Sequence, residues 1–242
     1  MNKDKTFCIA NWKMNKNLEE SKQFLSDLLT KDLNVSDSNI VISPSFVSLA
    51  TLCQSTLNDS ITFSSQDVST KEKGSLTGEI SVRMLENINC GWSIIGHSER
   101  RQIFNESNES VSEKIKMVLN SALNPILCIG ETLNEKNNNL TSDVLESQIN
   151  SAFSKVNLNK FTNKNILIAY EPVWAIGTGV SADIQTITRN IEIIKNIINN
   201  FDINNRNIYL LYGGSVDDNN AAEIFSINDV SGFLIGTASL DL

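Results

Sequence analysis

The sequence has few of the residues that mark several common classes of protein. Its four cysteines are widely spaced and form no C-x-x-C pair, so neither a zinc site nor a dithiol redox motif is indicated. Lysine and arginine together number 20 against 28 aspartates and glutamates, giving a net charge of −8. This balance argues against nucleic acid or an anionic membrane as a partner, because such partners are bound through basic side chains. No apolar run approaches the ~18 residues of a membrane span, and no secretory signal is recognisable. We therefore expect a reduced, cytoplasmic protein.

Proline is also scarce, with three residues in 242, and no flexible linker or shift of composition divides the chain. Hydrophobic residues make up 40% of the sequence, which is enough for a substantial core. Barrels of alternating strands and helices reach about 250 residues as one domain. We expect residues 1–242 to form a single domain.

Short apolar runs without polar alternation recur along the chain and predict strands buried on both faces of a parallel sheet. They are Thr6–Ala10, Asn39–Ser43, Ile61–Ser65, Ser93–Gly96, Pro125–Ile129, Ile166–Tyr170, Ile208–Tyr212 and Phe233–Gly236. Segments with helical spacing lie between them, namely Leu18–Leu29, Val111–Leu123, Val144–Phe153 and Ile184–Ile198. The alternation predicts an α/β fold, either an eight-stranded parallel (β/α)₈ barrel or a large doubly wound sheet. Only Thr237–Leu242 follow the eighth run, so we expect the last helix to be truncated or missing.

Polar residues follow several of these runs, where parallel α/β proteins place their catalytic groups. Lys13 follows the first run, His97 the fourth and Glu171 the sixth. Glycine pairs or glycine-containing turns follow the seventh and eighth runs, at Gly213-Gly214-Ser215 and Gly236-Thr237, where barrels bind phosphate on backbone N–H groups.

Each of these residues also has an ordinary structural interpretation. A lone histidine, a strand-end carboxylate, an exposed lysine and a tight glycine turn are common features of folded proteins. Together they form a base, an imidazole, a cation and a phosphate cradle. This set suits proton abstraction from a carbon next to a carbonyl group of a small phosphorylated substrate. Hydride transfer is not indicated, because no G-x-G-x-x-G motif follows an early strand.

The segment after Glu171 is apolar and bounded by residues that bend the chain. Trp174 and Ile176 lie between Pro172 and the glycines of Gly177–Gly179. This pattern predicts a lid that excludes water and raises the basicity of the carboxylate.

Five segments resemble the triosephosphate isomerase family. They are Asn11–Asn15, Ile95–Arg101, Cys128–Glu131, Tyr170–Gly179 and Tyr212–Val216. The resemblance extends from Phe7 to Leu240. It implies a homodimeric (β/α)₈ barrel that interconverts dihydroxyacetone phosphate and glyceraldehyde 3-phosphate, a step of glycolysis and gluconeogenesis, through an enediolate without cofactor or metal.

The resemblance also implies a role for each residue that matches the family motifs. Glu171 would be the base, His97 a neutral electrophile, and Lys13 and Asn11 substrate contacts supported by Glu99. The phosphate would be bound by Gly177, Ser215, Gly236 and Thr237. The lid would consist of Pro172, Val173, Trp174, Ala175, Ile176, Gly177 and Thr178, and Thr77 would insert into a neighbouring subunit.

The chain departs from the family pattern at several positions. Thr237 replaces a second glycine, and we expect it to adopt a negative φ angle, because a β-branched residue is strained at positive φ. Ser45 replaces the second residue of a proline pair. Ser231 and Lys195 occupy the positions assigned to an internal ion pair, so we expect that pair to be absent.

Two alternative functions fit the same residues. One is the isomerisation of a four-carbon sugar phosphate, which would use the same catalytic groups in a longer pocket. The other is a non-catalytic barrel that serves in binding or adhesion.

Overall fold

The computed structural model of the protein describes residues 5–31, 38–55, 61–176, 182–201 and 207–242. Within these ranges no helix is long and apolar enough to cross a membrane. The chain alternates strands and helices throughout.

Eight parallel strands form a closed barrel in which each strand pairs with the next along the chain. The strands are β1 Thr6–Asn11, β2 Ser38–Ser43, β3 Ile61–Ser65, β4 Trp92–Ile95, β5 Asn124–Ile129, β6 Ile166–Tyr170, β7 Ile208–Tyr212 and β8 Val230–Ile235. The barrel closes between β1 and β8, where Phe7 is opposite Gly232 and Ala10 is opposite Ile235. The fold is therefore a single (β/α)₈ barrel, and the doubly wound alternative is excluded.

Helices connect the strands on the outside of the barrel. They are α1 Leu18–Thr30, α2 Phe46–Ser55, α3 Val82–Asn87, α4 Ser98–Gln102, α5 Asn108–Leu119, α6 Leu133–Asn137, α7 Thr141–Phe153, α8 Ile184–Asn199 and α9 Ala221–Phe225. In the part of the chain that the structure describes, β8 is followed by the 3₁₀ turn Thr237–Ser239 and by no α-helix, as expected.

Local sequence explains where the longer helices begin and which face they bury. Asn17 caps α1 in a reciprocal capping box with Glu20. Asp183 caps α8 by accepting the backbone N–H of Thr186. Isoleucines spaced three and four residues apart form the buried stripe of α8, namely Ile187, Ile191, Ile194 and Ile198.

The core has two layers separated by the barrel wall. Inward-facing side chains fill the barrel, among them Phe7, Ile9, Trp92, Leu167, Tyr209 and Leu211. A second cluster lies between the wall and the helices. Because side chains fill the barrel interior, a ligand site has to lie at an end of the barrel.

Lys195 forms an ion pair with an acidic residue other than the one at position 231. Lys195 of α8 lies 2.7 Å from Asp229, measured from Nζ to Oδ2. The expected absence concerned a pair between positions 195 and 231, and Ser231 carries no charge; the carboxylate that Lys195 meets is supplied two residues earlier, at a position the sequence did not single out. The pair links α8 to the start of β8.

Candidate active site

A cavity of about 470 Å³ opens at the carboxyl ends of the strands. Its lining includes ten of the residues singled out in the sequence: Asn11, Lys13, His97, Glu171, Ile176, Gly213, Gly214, Ser215, Gly236 and Thr237. Asn11 is the last residue of β1, and the others follow β1, β4, β6, β7 and β8, so the closure of the barrel brings distant parts of the chain to one site. The barrel thus brings these strand-end residues around one cavity, and their roles there stay predictions.

Glu171 follows β6 directly and is 2% exposed. One carboxylate oxygen, Oε2, accepts the backbone N–H of Ser98 at 2.9 Å, and Oε1 lies 3.0 Å from Nε2 of His97. Glycines surround the residue closely. A Cβ atom at Gly213 would lie 3.0 Å from Cγ of Glu171, and a Cβ atom at Gly130 would overlap the Glu171 carbonyl oxygen. Gly130 therefore leaves no room for a side chain beside the Glu171 backbone, and Gly213 packs tightly against the Glu171 side chain.

The groups around Glu171 favour the ionised form of its carboxyl group. Burial by itself raises the pKa of the Glu171 carboxyl group. Together, the nearby His97, the backbone N–H of Ser98 and the positive charge of Lys13 outweigh the effect of burial. The pKa of Glu171 therefore lies below its ordinary value. A group that leaves these partners while remaining buried becomes a stronger base.

His97 precedes α4 and is buried. Its Nδ1 accepts the backbone N–H of Glu99 at 3.2 Å, which places the proton of the neutral ring on Nε2, facing Glu171. Burial lowers the pKa of His97, but the Glu171 carboxylate raises it by a larger amount. The pKa of His97 therefore lies above its ordinary value. The upward shift depends mainly on Glu171. Once that carboxylate moves away, burial and the Glu99 N–H both favour the neutral imidazole.

Lys13 lies in a short loop after β1 and has a φ angle of 53°, in the left-handed region. Two side chains hold this strained backbone. The Asn11 side-chain oxygen accepts the Lys13 N–H at 3.1 Å, and the Gln66 amide donates to the Lys13 carbonyl at 2.7 Å. The ammonium group lies 2.7 Å from Oε1 of Glu99. Gln66 was not predicted as a site residue, although it directly follows β3 and so has the same strand-end position that marked Lys13.

The turn after β8 lies beside the Lys13 side chain. A Cβ atom at Gly236 would be 3.3 Å from Cε of Lys13. Thr237 begins the 3₁₀ turn, is exposed, and is not among the described residues with positive φ, as expected. Backbone N–H groups of this turn can therefore approach an anion that Lys13 also contacts.

The first part of the predicted lid is anchored by polar contacts. Trp174 donates its indole N–H to Oε1 of Glu131 at 2.8 Å, and the Ser215 hydroxyl donates to the Ala175 carbonyl at 2.9 Å. Burial raises the pKa of Glu131, and the hydrogen bonds from Trp174 and Tyr170 oppose this. Gly177 and Thr178, the remaining lid residues named above, lie outside the described residues.

Two buried hydrogen bonds next to the start of the lid were not predicted from the sequence. Tyr170 donates to Glu131 at 3.2 Å, and the Asn190 amide donates to the Tyr170 hydroxyl at 2.6 Å. Asn190 belongs to α8, and no local motif links it to the lid.

Thr77 does not line the cavity. It is exposed in the long segment between β3 and α3. The structure of one chain therefore leaves the proposed insertion of Thr77 as a prediction.

The arrangement combines a buried carboxylate, a buried imidazole, an ammonium group and accessible backbone N–H groups in one cavity. Among the residues with described positions, no group of three or more His, Cys, Asp or Glu side chains could hold a metal ion. The fold and the site define a (β/α)₈-barrel enzyme that moves a proton on a small anionic substrate.

Comparison with known proteins narrows this class. The family model for triosephosphate isomerase matches residues 6–242. The chain is 39% identical to the triosephosphate isomerase of Lawsonia intracellularis over 98% of this chain and 94% of that protein. It is 40% identical to that of Aquifex aeolicus, with 96% and 93% coverage, and 41% identical to that of Colwellia psychrerythraea, with 96% and 91% coverage. The chain belongs to the triosephosphate isomerase family, whose members are aldose–ketose isomerases.

Proposed function

We propose that this chain interconverts dihydroxyacetone phosphate and glyceraldehyde 3-phosphate, with Glu171 as the base and an enediolate as the intermediate. The observation that carries this assignment is the pairing of a 2% exposed carboxylate with a buried imidazole beside Lys13. Family membership supports the reaction, and the geometry supports the roles of the individual residues.

Substrate binding relies on a local positive environment within an acidic protein. Lys13 supplies the ammonium group, and Asn11 lies beside it in the cavity. Ser215, Gly236 and Thr237 line the same cavity, and their backbone N–H groups are proposed to bind the phosphate. The family resemblance adds Gly177, which lies outside the described residues. These contacts meet the substrate charge despite the net charge of −8.

Proton transfer begins when Glu171 turns from Ser98 and His97 to the carbon next to the substrate carbonyl. Leaving those partners removes the interactions that lowered its pKa, while burial still raises it. Glu171 takes the proton from this carbon, and the C–H electron pair forms a carbon–carbon double bond. The carbonyl electrons move to oxygen, giving the enediolate. The hydroxyl proton of the first carbon then passes to the oxygen of the former carbonyl, by way of Nε2 of His97, and the first oxygen keeps the electron pair of the broken O–H bond. Glu171 returns its proton to the neighbouring carbon, the carbon–carbon double bond supplies the electrons for the new C–H bond, and the first oxygen forms the new carbonyl group, which completes the isomerisation.

His97 and Lys13 stabilise the oxygen on which charge develops. With Glu171 turned away, the Nε2–H of the neutral imidazole is free to donate to the enediolate oxygens. The Lys13 ammonium group adds a positive charge at the same end of the cavity. Glu99 supports this arrangement by holding Lys13 and His97 through its side chain and its backbone N–H.

Lid closure keeps water from the enediolate. The contacts of Trp174 with Glu131 and of Ser215 with Ala175 fix the first part of the lid relative to the barrel. Closure prevents loss of the phosphate group from the intermediate.

We also propose that two copies of this chain assemble as a homodimer. Large apolar side chains are exposed near the segment that contains Thr77, including Phe46, Ile103 and Phe104, of which the last two are 67% and 64% exposed. Phe46 lines a small cavity with Arg100, whose guanidinium group stacks on Phe104. Exposed apolar side chains of this size support burial against a second copy of the chain.

The chain is further proposed to act as one domain, residues 1–242, in the cytoplasm. The barrel wall runs from Thr6 in β1 to Ile235 in β8, which supports a single folding unit. All four cysteines are free, which suits a reducing compartment.

A coupled assay of the purified protein tests the function. We expect turnover of the three-carbon substrates in both directions and little turnover of four-carbon ketose phosphates. Glu171→Gln should lower kcat by about 10²–10⁴-fold while retaining the fold and the affinity for inorganic phosphate. Glu113→Gln, which removes a partly exposed carboxylate that is paired with Lys155 and lies outside the cavity lining, is the control. Near-native turnover in Glu171→Gln would exclude it as the base, and a preference for four-carbon substrates would overturn the substrate assignment.

A further inference from the structure

Two lysines of the same short loop have left-handed backbones. Lys13 has a φ of 53° and Lys16 a φ of 63°. This conformation is unfavourable for residues other than glycine and persists where surrounding contacts hold it. Asn11 and Gln66 hold the backbone of Lys13, and different residues hold Lys16.

The ammonium group of Lys16 is fixed by three partners. Its Nζ donates to the Leu240 carbonyl at 2.6 Å. It also lies over two aromatic rings, 4.7 Å from the centroid of Phe24 and 5.5 Å from that of Trp12. The residue is half-buried, so its contacts connect α1 and the loop after β1 to the segment that follows β8.

Leu240 is in turn tied to the residues that form the phosphate end of the cavity. Its N–H donates to the Thr237 carbonyl at 3.1 Å, and the Ser239 N–H donates to the Gly236 carbonyl at 2.9 Å. These bonds make Gly236–Leu240 one compact turn. A restraint on Leu240 therefore acts on the backbone N–H groups of Gly236 and Thr237.

The same turn approaches the Lys13 side chain directly. A Cβ atom at Gly236 would lie 3.3 Å from Cε and 3.7 Å from Nζ of Lys13. The loop after β1 thus meets the turn after β8 twice, once through Lys13 at the cavity and once through Lys16 behind it. With both contacts in place, the spacing between the Lys13 ammonium group and the phosphate-binding N–H groups is fixed.

We infer that Lys16 is a positioning residue that holds the loop after β1 against the turn after β8 and thereby sets the affinity for the substrate phosphate. The inference rests on the proposed roles of Lys13, Gly236 and Thr237. Lys16 lies outside the cavity lining, and its effect passes through Leu240.

Three substitutions separate the contacts of the ammonium group from the strain of the backbone. Lys16→Met keeps most of the side-chain bulk and removes the donor. Lys16→Gly removes the donor and relieves the left-handed strain. Lys16→Arg keeps a cation that can donate and stack on the rings. Lys22→Met is the control, because Lys22 lies on α1 and pairs with Glu19 at the surface. The readouts are kcat, KM, the inhibition constant of inorganic phosphate and the unfolding midpoint.

We expect Lys16→Met and Lys16→Gly each to raise KM and the phosphate inhibition constant by about three- to tenfold, the range for loss of one hydrogen bond. In both variants kcat should change by less than about twofold, because Lys16 touches no reacting atom. Lys16→Arg should restore both constants to within about twofold, and Lys22→Met should leave them unchanged.

Other results would overturn the inference. Unchanged binding constants in Lys16→Met and Lys16→Gly would show that the contact behind the loop does not set phosphate affinity. Failure of Lys16→Arg to restore binding, or inability to recover either uncharged variant in folded form, would mean that Lys16 serves the fold alone. Lys13→Met distinguishes this failure from that of the proposed function. If Lys13→Met raises KM while the Lys16 variants do not, only the positioning role is lost.

Discussion

His97 and Glu171 hold one another in the cavity, with Nε2 of the imidazole 3.0 Å from Oε1 of the carboxylate. Each group shifts the pKa of the other, so that the pKa of Glu171 is lowered and that of His97 is raised despite burial of both. The two groups that we propose act on the substrate are therefore expected to change their proton affinities together when Glu171 moves.

The imidazole of His97 provides a direct measure of this coupling, because it is the only histidine in the sequence. We expect its pKa to lie above the ordinary 6.5 in the free enzyme and to fall in Glu171→Gln, since the neutral amide no longer favours the charged ring. An NMR titration of the single histidine, with the control Glu113→Gln, reports both values. A pKa that is the same in all three proteins would contradict the coupling.

The Ser215 hydroxyl links the phosphate end of the cavity to the lid through its bond to the Ala175 carbonyl. Ser215→Ala keeps the backbone N–H for phosphate but loses this link. We expect kcat to fall by about three- to tenfold, with more inorganic phosphate released per turnover because the lid closes less completely. Ser226→Ala, which removes a surface hydroxyl bonded to the Glu223 carbonyl, should match the unmodified protein. Equal phosphate release in both variants would argue against a role of Ser215 in closure.

Gly130 approaches the backbone of Glu171 so closely that a Cβ atom would overlap its carbonyl oxygen. We expect Gly130→Ala to reduce the free energy of unfolding by on the order of 3 kcal/mol and to displace Glu171, lowering kcat. Gly91→Ala is a matched control, since the nearest atom to its added Cβ is the Phe63 carbonyl oxygen at 3.9 Å. Urea unfolding and the coupled assay compare the two. Similar stability and activity in both variants would show that the wall between β5 and β6 adapts to the added methyl group.

The exposed ring of Phe104 provides a test of assembly. We expect Phe104→Asp to shift the protein from dimer to monomer and to lower activity, because it places a carboxylate in the proposed apolar contact. Leu133→Asp is the control, as it alters an apolar side chain on α6 that is 54% exposed. Sedimentation of the unmodified protein as a fully active monomer would exclude the dimer, whatever the variants do.

Thr237 begins its turn without positive φ, so its side chain causes no backbone strain. We expect Thr237→Gly to change KM by no more than about tenfold, equivalent to about 1.4 kcal/mol, and to leave kcat unchanged. A larger increase in KM would assign the Thr237 hydroxyl a direct part in binding. A large fall in kcat would place Thr237 closer to the reacting carbon than the proposal allows.

Most of the fold and most of the cavity lining follow from one-dimensional patterns. The runs at Ile61–Ser65, Ile166–Tyr170 and Ile208–Tyr212 coincide with β3, β6 and β7, because uninterrupted apolar segments of this length are buried on both faces in a barrel. β8 begins three residues earlier than its predicted run, at Val230, since Ser231 and Gly232 interrupt the apolar pattern.

Contacts between distant segments could not be predicted in the same way. Asn190 reaches Tyr170 from another helix, and Lys16 reaches Leu240 across the barrel rim. The Lys195–Asp229 pair was missed because the position of a partner depends on the tertiary register and not on the spacing of charges along the chain. The sequence patterns locate strand ends, and the folded barrel decides which side chains meet there.

The pairing of β1 with β8 also has a kinetic consequence. Phe7 is paired with Gly232, so closure of the barrel joins strands from the two extremes of the sequence. Among the strand pairs of the wall, this pair has the largest entropic cost of loop closure. Until closure, both strands present unpaired backbone groups to which another chain can add. After closure, the barrel wall has no edge. The hazard of aggregation is therefore concentrated in the time before the barrel closes, and refolding yields should depend on protein concentration far more than the stability of the finished barrel does.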